Sequence, residues 1–195
     1  MMPSRLSVPN RLSDTNSPRR RVRRSVAGFL LVLGLLVTGT EVLLSTRWIL
    51  ERLVGPELDF FALVLGSLLE FLGEEVQVVG QYVYTGRFNL KMVQGCDALR
   101  PVLLFLCAVL ASPVRWWTKL PGAVVGATIL VVANFIRLVV LFYVGVHCSS
   151  NTFNFMHENV SQVGFILLVI VLWVAWALWA VRRTRRDSAA LEAAT

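Results

Sequence analysis

Charged residues are scarce in this chain of 195 residues: Asp, Glu, Lys and Arg together make up 16%, whereas 56% of the residues are hydrophobic. The mean hydropathy is +0.66. Soluble domains carry about 25% charged and about 45–50% apolar residues. The low charge therefore excludes an ordinary soluble domain and indicates a membrane protein.

Histidine and cysteine are also rare, with two and three residues in the whole sequence. They form no cluster with zinc-ligand spacing, and the chain has no phosphate-binding glycine loop and no Ser-Gly-His segment. These absences argue against a zinc site, a nucleotide-binding loop and a lipid-phosphate phosphatase. We expect no metal and no other cofactor, and three cysteines exclude a complete disulfide framework.

The net charge of +7 is unevenly placed along the chain. Basic residues concentrate in "RRRVRR" (19–24), directly before an apolar run, and in "RRTRR" (182–186), directly after another. Short cytoplasmic flanks of membrane-spanning helices favour Lys and Arg. The charge therefore predicts two cytoplasmic termini at a lipid surface, with no nucleic-acid partner.

Four apolar stretches are long enough for the roughly 20 helical residues that cross a bilayer core. They cover residues 25–45, 98–117, 121–146 and 160–181. A fifth stretch, 58–73, is short and contains Glu70, so a short span and an interfacial helix both remain open. Four spans place both termini and the basic loop 112–120 in the cytoplasm. The sequence thus predicts an all-α polytopic membrane protein of the bacterial inner membrane.

Three regions follow from this arrangement. Residues 1–24 are predicted to be a disordered basic cytoplasmic tail, 25–181 a single membrane domain, and 182–195 a basic cytoplasmic C-terminal tail. Between the fifth stretch and the second span, residues 75–95 alternate between apolar and polar on both sides of Thr85-Gly86. Such alternation around a glycine turn predicts an extracytoplasmic β-hairpin.

The hairpin leads to Cys96, which precedes an apolar run in "GCDALRPVLLF". In the four-span arrangement this thiol lies on the outer side at a helix N-terminus, where the helix dipole favours the thiolate. Asp97 is the expected N-cap, and Arg100 adds positive field one turn further on. A disulfide with Cys148, on the same side of the membrane, is the alternative. Cys107, inside the apolar run, is expected to be a small core residue.

Two further residues could carry chemistry on the same side. Arg137 lies in the outer half of its span or near its centre, where a charge costs about 2.5–3.5 kcal/mol on insertion scales, so it marks a candidate site. Asn134 shares its helix face, whereas a structural ion pair with Glu41 or Glu70 is the alternative. His157 precedes the last span and suits proton transfer near neutral pH.

Together these residues predict a reaction class. A thiolate can attack a peptide carbonyl, an imidazole can transfer the proton, and a guanidinium can stabilise the oxyanion. An extracytoplasmic cysteine protease or transpeptidase is one hypothesis. The other is a non-catalytic membrane subunit with a Cys96–Cys148 disulfide and Arg137 in a structural ion pair.

Three segments within about residues 60–180 resemble the exosortase/archaeosortase family of multi-span cysteine transpeptidases. "GCDAL" is similar to the family's cysteine segment, "NFIR" to its Asn-x-x-Arg helix, and "HENVSQVGF" to the histidine that opens its final helix. The short chain, the hairpin and "FYVGVH" are most similar to the small exosortase H branch. The resemblance implies that Cys96 is the nucleophile, Arg137 the oxyanion or substrate-carboxylate partner and His157 the general acid/base. We assign substrate-binding or supporting positions to Asn134, Arg100, Asp97 and Glu70.

The resemblance also implies a substrate. The family recognises exported proteins with a C-terminal sorting signal made of a short motif, a transmembrane helix and a basic tail. Cleavage near the motif would pass through a thioester, and the product would be transferred to a surface acceptor such as a glycan. One position departs from the family pattern: the glycine two residues after the cysteine is Ala98 here, which would restrict any unusual backbone angle.

Overall fold

The computed structural model describes residues 18–46, 48, 52, 55–86, 88–93 and 98–193. Its helices are α1 (Pro18–Leu44), α2 (Gly55–Phe71), α3 (Leu99–Ala111), α4 (Trp116–His147), α5 (Ser150–Phe155) and α6 (Ser161–Ala193). A π-helical segment, Met156–Val160, joins α5 to α6. The strands are β1 (Gln77–Val79), β2 (Tyr82–Tyr84) and β3 (Asn89–Lys91).

Three helical stretches of the described residues are long and apolar enough to cross a membrane. They are Val26–Leu44, Trp116–His147 and Ser150–Asp187. Helix α3 is also apolar, but its 13 residues reach only about 20 Å at 1.5 Å per residue. The predicted fold class, a polytopic all-α membrane protein with a small β-structure, is confirmed.

The turn between α3 and α4 differs from the predicted boundary of the second span at residue 117. Ser112 is extended (φ −65°, ψ 133°) because the following Pro113 disfavours a helical conformation in the residue before it. Helix α4 then begins at Trp116, so the tryptophans assigned to the second span belong to the third. Lys119 donates a hydrogen bond of 2.7 Å to a carbonyl in the last turn of α3 and closes the turn.

Both basic runs continue the helices that they flank. Helix α1 begins at Pro18, before the predicted boundary at residue 25, and α6 continues to Ala193, well past the predicted end of the last span. Arginine has a high helix propensity, so a basic flank extends a membrane helix at little cost. Residues 18–24, assigned to the predicted disordered tail, are therefore helical, and residues 1–17 lie outside the described part of the chain.

The predicted hairpin is in fact two hairpins that share β2. The three strands form an antiparallel sheet in the order β1-β2-β3, with Val83 opposite both Val78 and Leu90. The second turn contains the expected Thr85-Gly86. The first turn contains Gly80, whose φ of +56° favours glycine, and it was not predicted.

Helix α2 is the short apolar stretch that was ambiguous in the sequence. One face, spaced at three and four residues, packs on α4 and the sheet, and it consists of Leu58, Phe61, Ala62, Leu65, Gly66 and Leu69. The ring of Phe61 stacks on that of Phe135 with the centroids 5.0 Å apart. The sheet and α2 thus cover one end of the helix bundle, called the sheet end below.

Helix α3 is enclosed by its neighbours along its length, because it contacts α1, α4 and α6. Gly126 on α4 allows a close approach, since an added Cβ would overlap the ring of Phe105 on α3. The buried side chains of this region form a core with Phe105, Val109, Leu130, Phe165, Val169, Trp176 and Ala180. The packing leaves the N-terminal turn of α3 at the sheet end, next to the cavity described below.

Candidate active site

A cavity of about 360 Å³ lies at the sheet end of the bundle. Its walls come from α1, α3, α4 and the stretch from the π-helical segment into α6. The polar lining residues are Thr40, Glu41, Arg100, Arg137, His157, Glu158 and Gln162. The remaining walls are apolar and include Val37, Leu44, Leu103, Leu104, Ile166 and Val169. The cavity therefore offers charged groups beside an apolar wall.

Arg137 is held in this cavity by contacts from two helices. Its Nη1 donates a hydrogen bond of 3.3 Å to Oδ1 of Asn134, which is completely buried. Its Cζ lies 5.4 Å from the centre of the Phe165 ring on α6. An aromatic face attracts a cation, and the attraction is larger where water is excluded. These contacts orient the guanidinium and partly offset the cost of burying its charge.

His157 enters the cavity from the π-helical segment. Its ring is nearly parallel to that of Phe153, with an interplanar angle of 6° and centroids 5.8 Å apart. His157 also interacts electrostatically with Arg137 and with Glu158, which have opposite charges. Both Nδ1 of His157 and Nε of Arg137 are closed to solvent. The imidazole and the guanidinium thus meet in one partly desolvated space.

Arg100 and Glu41 form an ion pair across the cavity between α3 and α1. The distance from Nη2 to Oε2 is 3.8 Å, and both side chains are about half exposed (51% and 50%). Exposed pairs contribute about 0–1 kcal/mol to stability. Glu41, a possible partner of Arg137 on sequence grounds, therefore pairs with Arg100 in the structure.

Cys96 and Asp97 lie outside the described residues, but the start of α3 corrects one prediction. Ala98 is the N-cap, because its carbonyl accepts the first helical hydrogen bond, from the amide of Val102 at 2.9 Å. Asp97, predicted as N-cap from its residue type, precedes that position. Ala98 has φ −85° and ψ −3°, so it lies outside the positive-φ region that favours glycine. Alanine at the family's glycine position is therefore unstrained.

The other predicted residues lie away from the cavity lining. Glu70 is exposed on α2 and lines a second concavity with Glu74 and Glu75. Cys148 is an exposed, free thiol directly after α4, so the structure gives no support to a Cys96–Cys148 disulfide. Cys107 is buried, as a small core residue would be.

Sequence reasoning missed three polar residues of the lining, Thr40, Glu158 and Gln162. Glu158 and Gln162 are four residues apart, which places them on one side of the helix, and they follow His157 in "HENVSQ". Thr40 lies on α1 next to Glu41, which was considered only as a partner of Arg137. In α1 the available sequence signal was the polar run "TGTE" inside an apolar span. Polar and charged residues within a span are candidate functional residues, as argued for Arg137.

These features define the class of the protein: a multi-pass membrane protein whose helices enclose a cavity that contains arginine and histidine. A family model described as transmembrane exosortase (Exosortase_EpsH) matches residues 20–174, and the chain belongs to this family. The predicted family is confirmed, and the match begins in α1, well before the segments that carried the resemblance. No curated protein and no solved structure matches the chain significantly. Members of the family are generally cysteine transpeptidases that act on exported proteins with sorting signals.

Proposed function

We propose that this protein is a cysteine transpeptidase in which Cys96 is the nucleophile, His157 the general acid/base and Arg137 the oxyanion partner. The observation that carries the proposal is that Arg137 and His157, which come from separate helices, line one cavity. An arginine within a span can have a structural role when it stands alone. Acid–base chemistry beside an oxyanion requires a cation and a histidine in the same space, and this cavity is lined by both.

The position of Cys96 in the chain supports its role. Arg100, four residues later, lines the cavity, and Ala98 is buried at the start of α3. This nearness in the sequence supports a thiol that acts at the cavity.

The proposed reaction has two halves. The Cys96 thiolate attacks the carbonyl carbon of the scissile peptide bond, and the carbonyl oxygen becomes an oxyanion beside Arg137. When this intermediate collapses, the amine leaves with a proton from His157 and a thioester remains on Cys96. The acceptor nucleophile then gives its proton to His157, attacks the thioester and releases the thiolate.

The proposed substrate is an exported protein with a C-terminal signal of motif, transmembrane helix and basic tail. The cavity combines charged groups with an apolar wall, which suits a segment where a polar motif meets an apolar helix. The basic runs 19–24 and 182–186 support cytoplasmic termini in the bacterial inner membrane and an extracytoplasmic site. A surface glycan is one acceptor that fits the proposal.

The test is co-production of the protein with an exported reporter that carries such a signal, with processing followed by immunoblot. Cys96→Ala is expected to abolish cleavage, and His157→Ala and Arg137→Ala to reduce its rate at least about 100-fold. Cys148→Ala is the matched control, since it removes an exposed thiol without touching the cavity. Normal processing by membrane-inserted Cys96→Ala would reject the mechanism.

A further inference from the structure

The segment that carries His157 has few fixed contacts of its own. Helix α5 has six residues and is capped by Ser149, whose Oγ accepts a hydrogen bond of 3.4 Å from the amide of Thr152. In the described stretch 150–160, no side chain is fully buried. The orientation of His157 therefore depends in part on how this stretch packs against neighbouring elements.

A chain of aromatic contacts supplies that support. Phe153 stacks on His157, and Phe88, beside β3, packs edge-on against Phe153 with the centroids 5.4 Å apart and the planes at 62°. Phe88 also packs against Phe142 on α4 with the centroids 6.4 Å apart. Aromatic pairs in such geometry contribute about 0.5–1.5 kcal/mol beyond the area that they bury.

Both the backbone and the ring of Phe88 are held by contacts. Its amide donates a hydrogen bond of 3.0 Å to Oγ1 of Thr85, and the Thr85 amide donates one of 3.0 Å to the Phe88 carbonyl. Its ring lies against the backbone of α4 at Gly145, where an added Cβ would overlap it. Phe88 is thus fixed at both its backbone and its ring, and it gives Phe153 a fixed surface to pack against.

We infer that Phe88 and Phe153 are positioning residues that hold the His157 imidazole toward the cavity. The inference rests on the proposed function. Its second support is that Phe88 packs on both Phe153 and Phe142, which joins the residue that stacks on His157 to α4.

The experiment measures the rate of Cys96 alkylation by iodoacetamide against pH in the full-length protein, in a Cys148→Ser background. A neighbouring imidazole changes the pH at which the thiolate forms, so His157→Ala gives a different profile from the parent. Phe88→Leu and Phe153→Leu are expected to shift the profile toward that of His157→Ala. The same variants should lower kcat about 10-fold with little change in KM.

Two variants separate positioning from a general loss of structure. Tyr82→Leu is the matched control, because Tyr82 stacks on Tyr84 in the same sheet, and it should leave the profile unchanged. Phe153→Tyr keeps a ring against His157 and should restore the parental profile. A parental profile in folded Phe88→Leu and Phe153→Leu would overturn the inference, even where Cys96→Ala has confirmed the nucleophile. A His157→Ala profile identical to that of the parent would overturn the proposed base and the inference with it.

Discussion

Phe165 on α6 lies under the guanidinium of Arg137 on α4, with the Arg137 Cζ 5.4 Å from its ring centre. The ring is 8% exposed and belongs to the core that α3, α4 and α6 share. Phe165 therefore packs in the core of the helix bundle and also contacts the guanidinium of the candidate site. Packing of the bundle and the proposed catalytic geometry both depend on Phe165, and the two effects can be separated.

Phe165→Leu is expected to keep an apolar side chain but to lose the cation–π contact. That contact is worth about 0.5–2 kcal/mol, so the rate of substrate processing should fall about 2- to 30-fold. Phe165→Tyr retains an aromatic face and should stay close to the parent. Reporter cleavage, normalised to inserted protein, measures both variants, and equal rates for Leu and the parent would show that Phe165 serves packing alone.

Asn134→Leu should weaken the site and the fold together. The amide is completely buried and accepts from Arg137, and a buried polar group left without its partner costs about 1–3 kcal/mol. Both the midpoint of thermal unfolding in detergent and reporter cleavage should fall. Thr128→Ala is the control on the same helix, because its exposed hydroxyl donates only to the backbone carbonyl of Val124.

Glycine substitutions should distinguish packed from open helix surfaces. Gly126→Ala would force a Cβ against the ring of Phe105 and should destabilise the bundle by about 1–3 kcal/mol. Gly34→Ala on α1 is the control, since nothing lies within 4 Å of the added carbon. Alanine there should be neutral or stabilise α1 by up to about 1 kcal/mol. Equal thermal unfolding midpoints for the two variants would contradict the packing of α3 on α4.

The membrane-spanning helices could be predicted from the sequence because each span requires a continuous local run of apolar residues. Runs of about 20 apolar residues with basic flanks place α1, α4 and α6 directly. The turn after α3 was misplaced because the tryptophans at 116 and 117 extend the apolar run past Pro113. Which side of a turn they join depends on backbone geometry, which hydropathy does not measure.

The site was only partly predictable for a related reason. Arg137 and His157 stood out because a charge in a span and a lone histidine beside one are conspicuous. The pairing of Arg100 with Glu41 depends on how α3 packs against α1, and the aromatic support of His157 depends on how the sheet packs against α4 and α5. Such contacts join residues that are far apart in the sequence, so no local sequence pattern predicts them.

The orientation of the chain in the membrane gives a final prediction. Cys148 is an exposed thiol after α4, and the basic flanks predict that this end of the bundle faces outward. A membrane-impermeant maleimide should therefore label Cys148 in spheroplasts whose membrane is intact, whereas the buried Cys107 should stay unlabelled. In a Cys96→Ala/Cys148→Ser background, Asp187→Cys on the exposed C-terminal part of α6 should react only after permeabilisation. Labelling in the reverse order would place the cavity on the cytoplasmic side, where an enzyme for exported proteins could not meet its substrate.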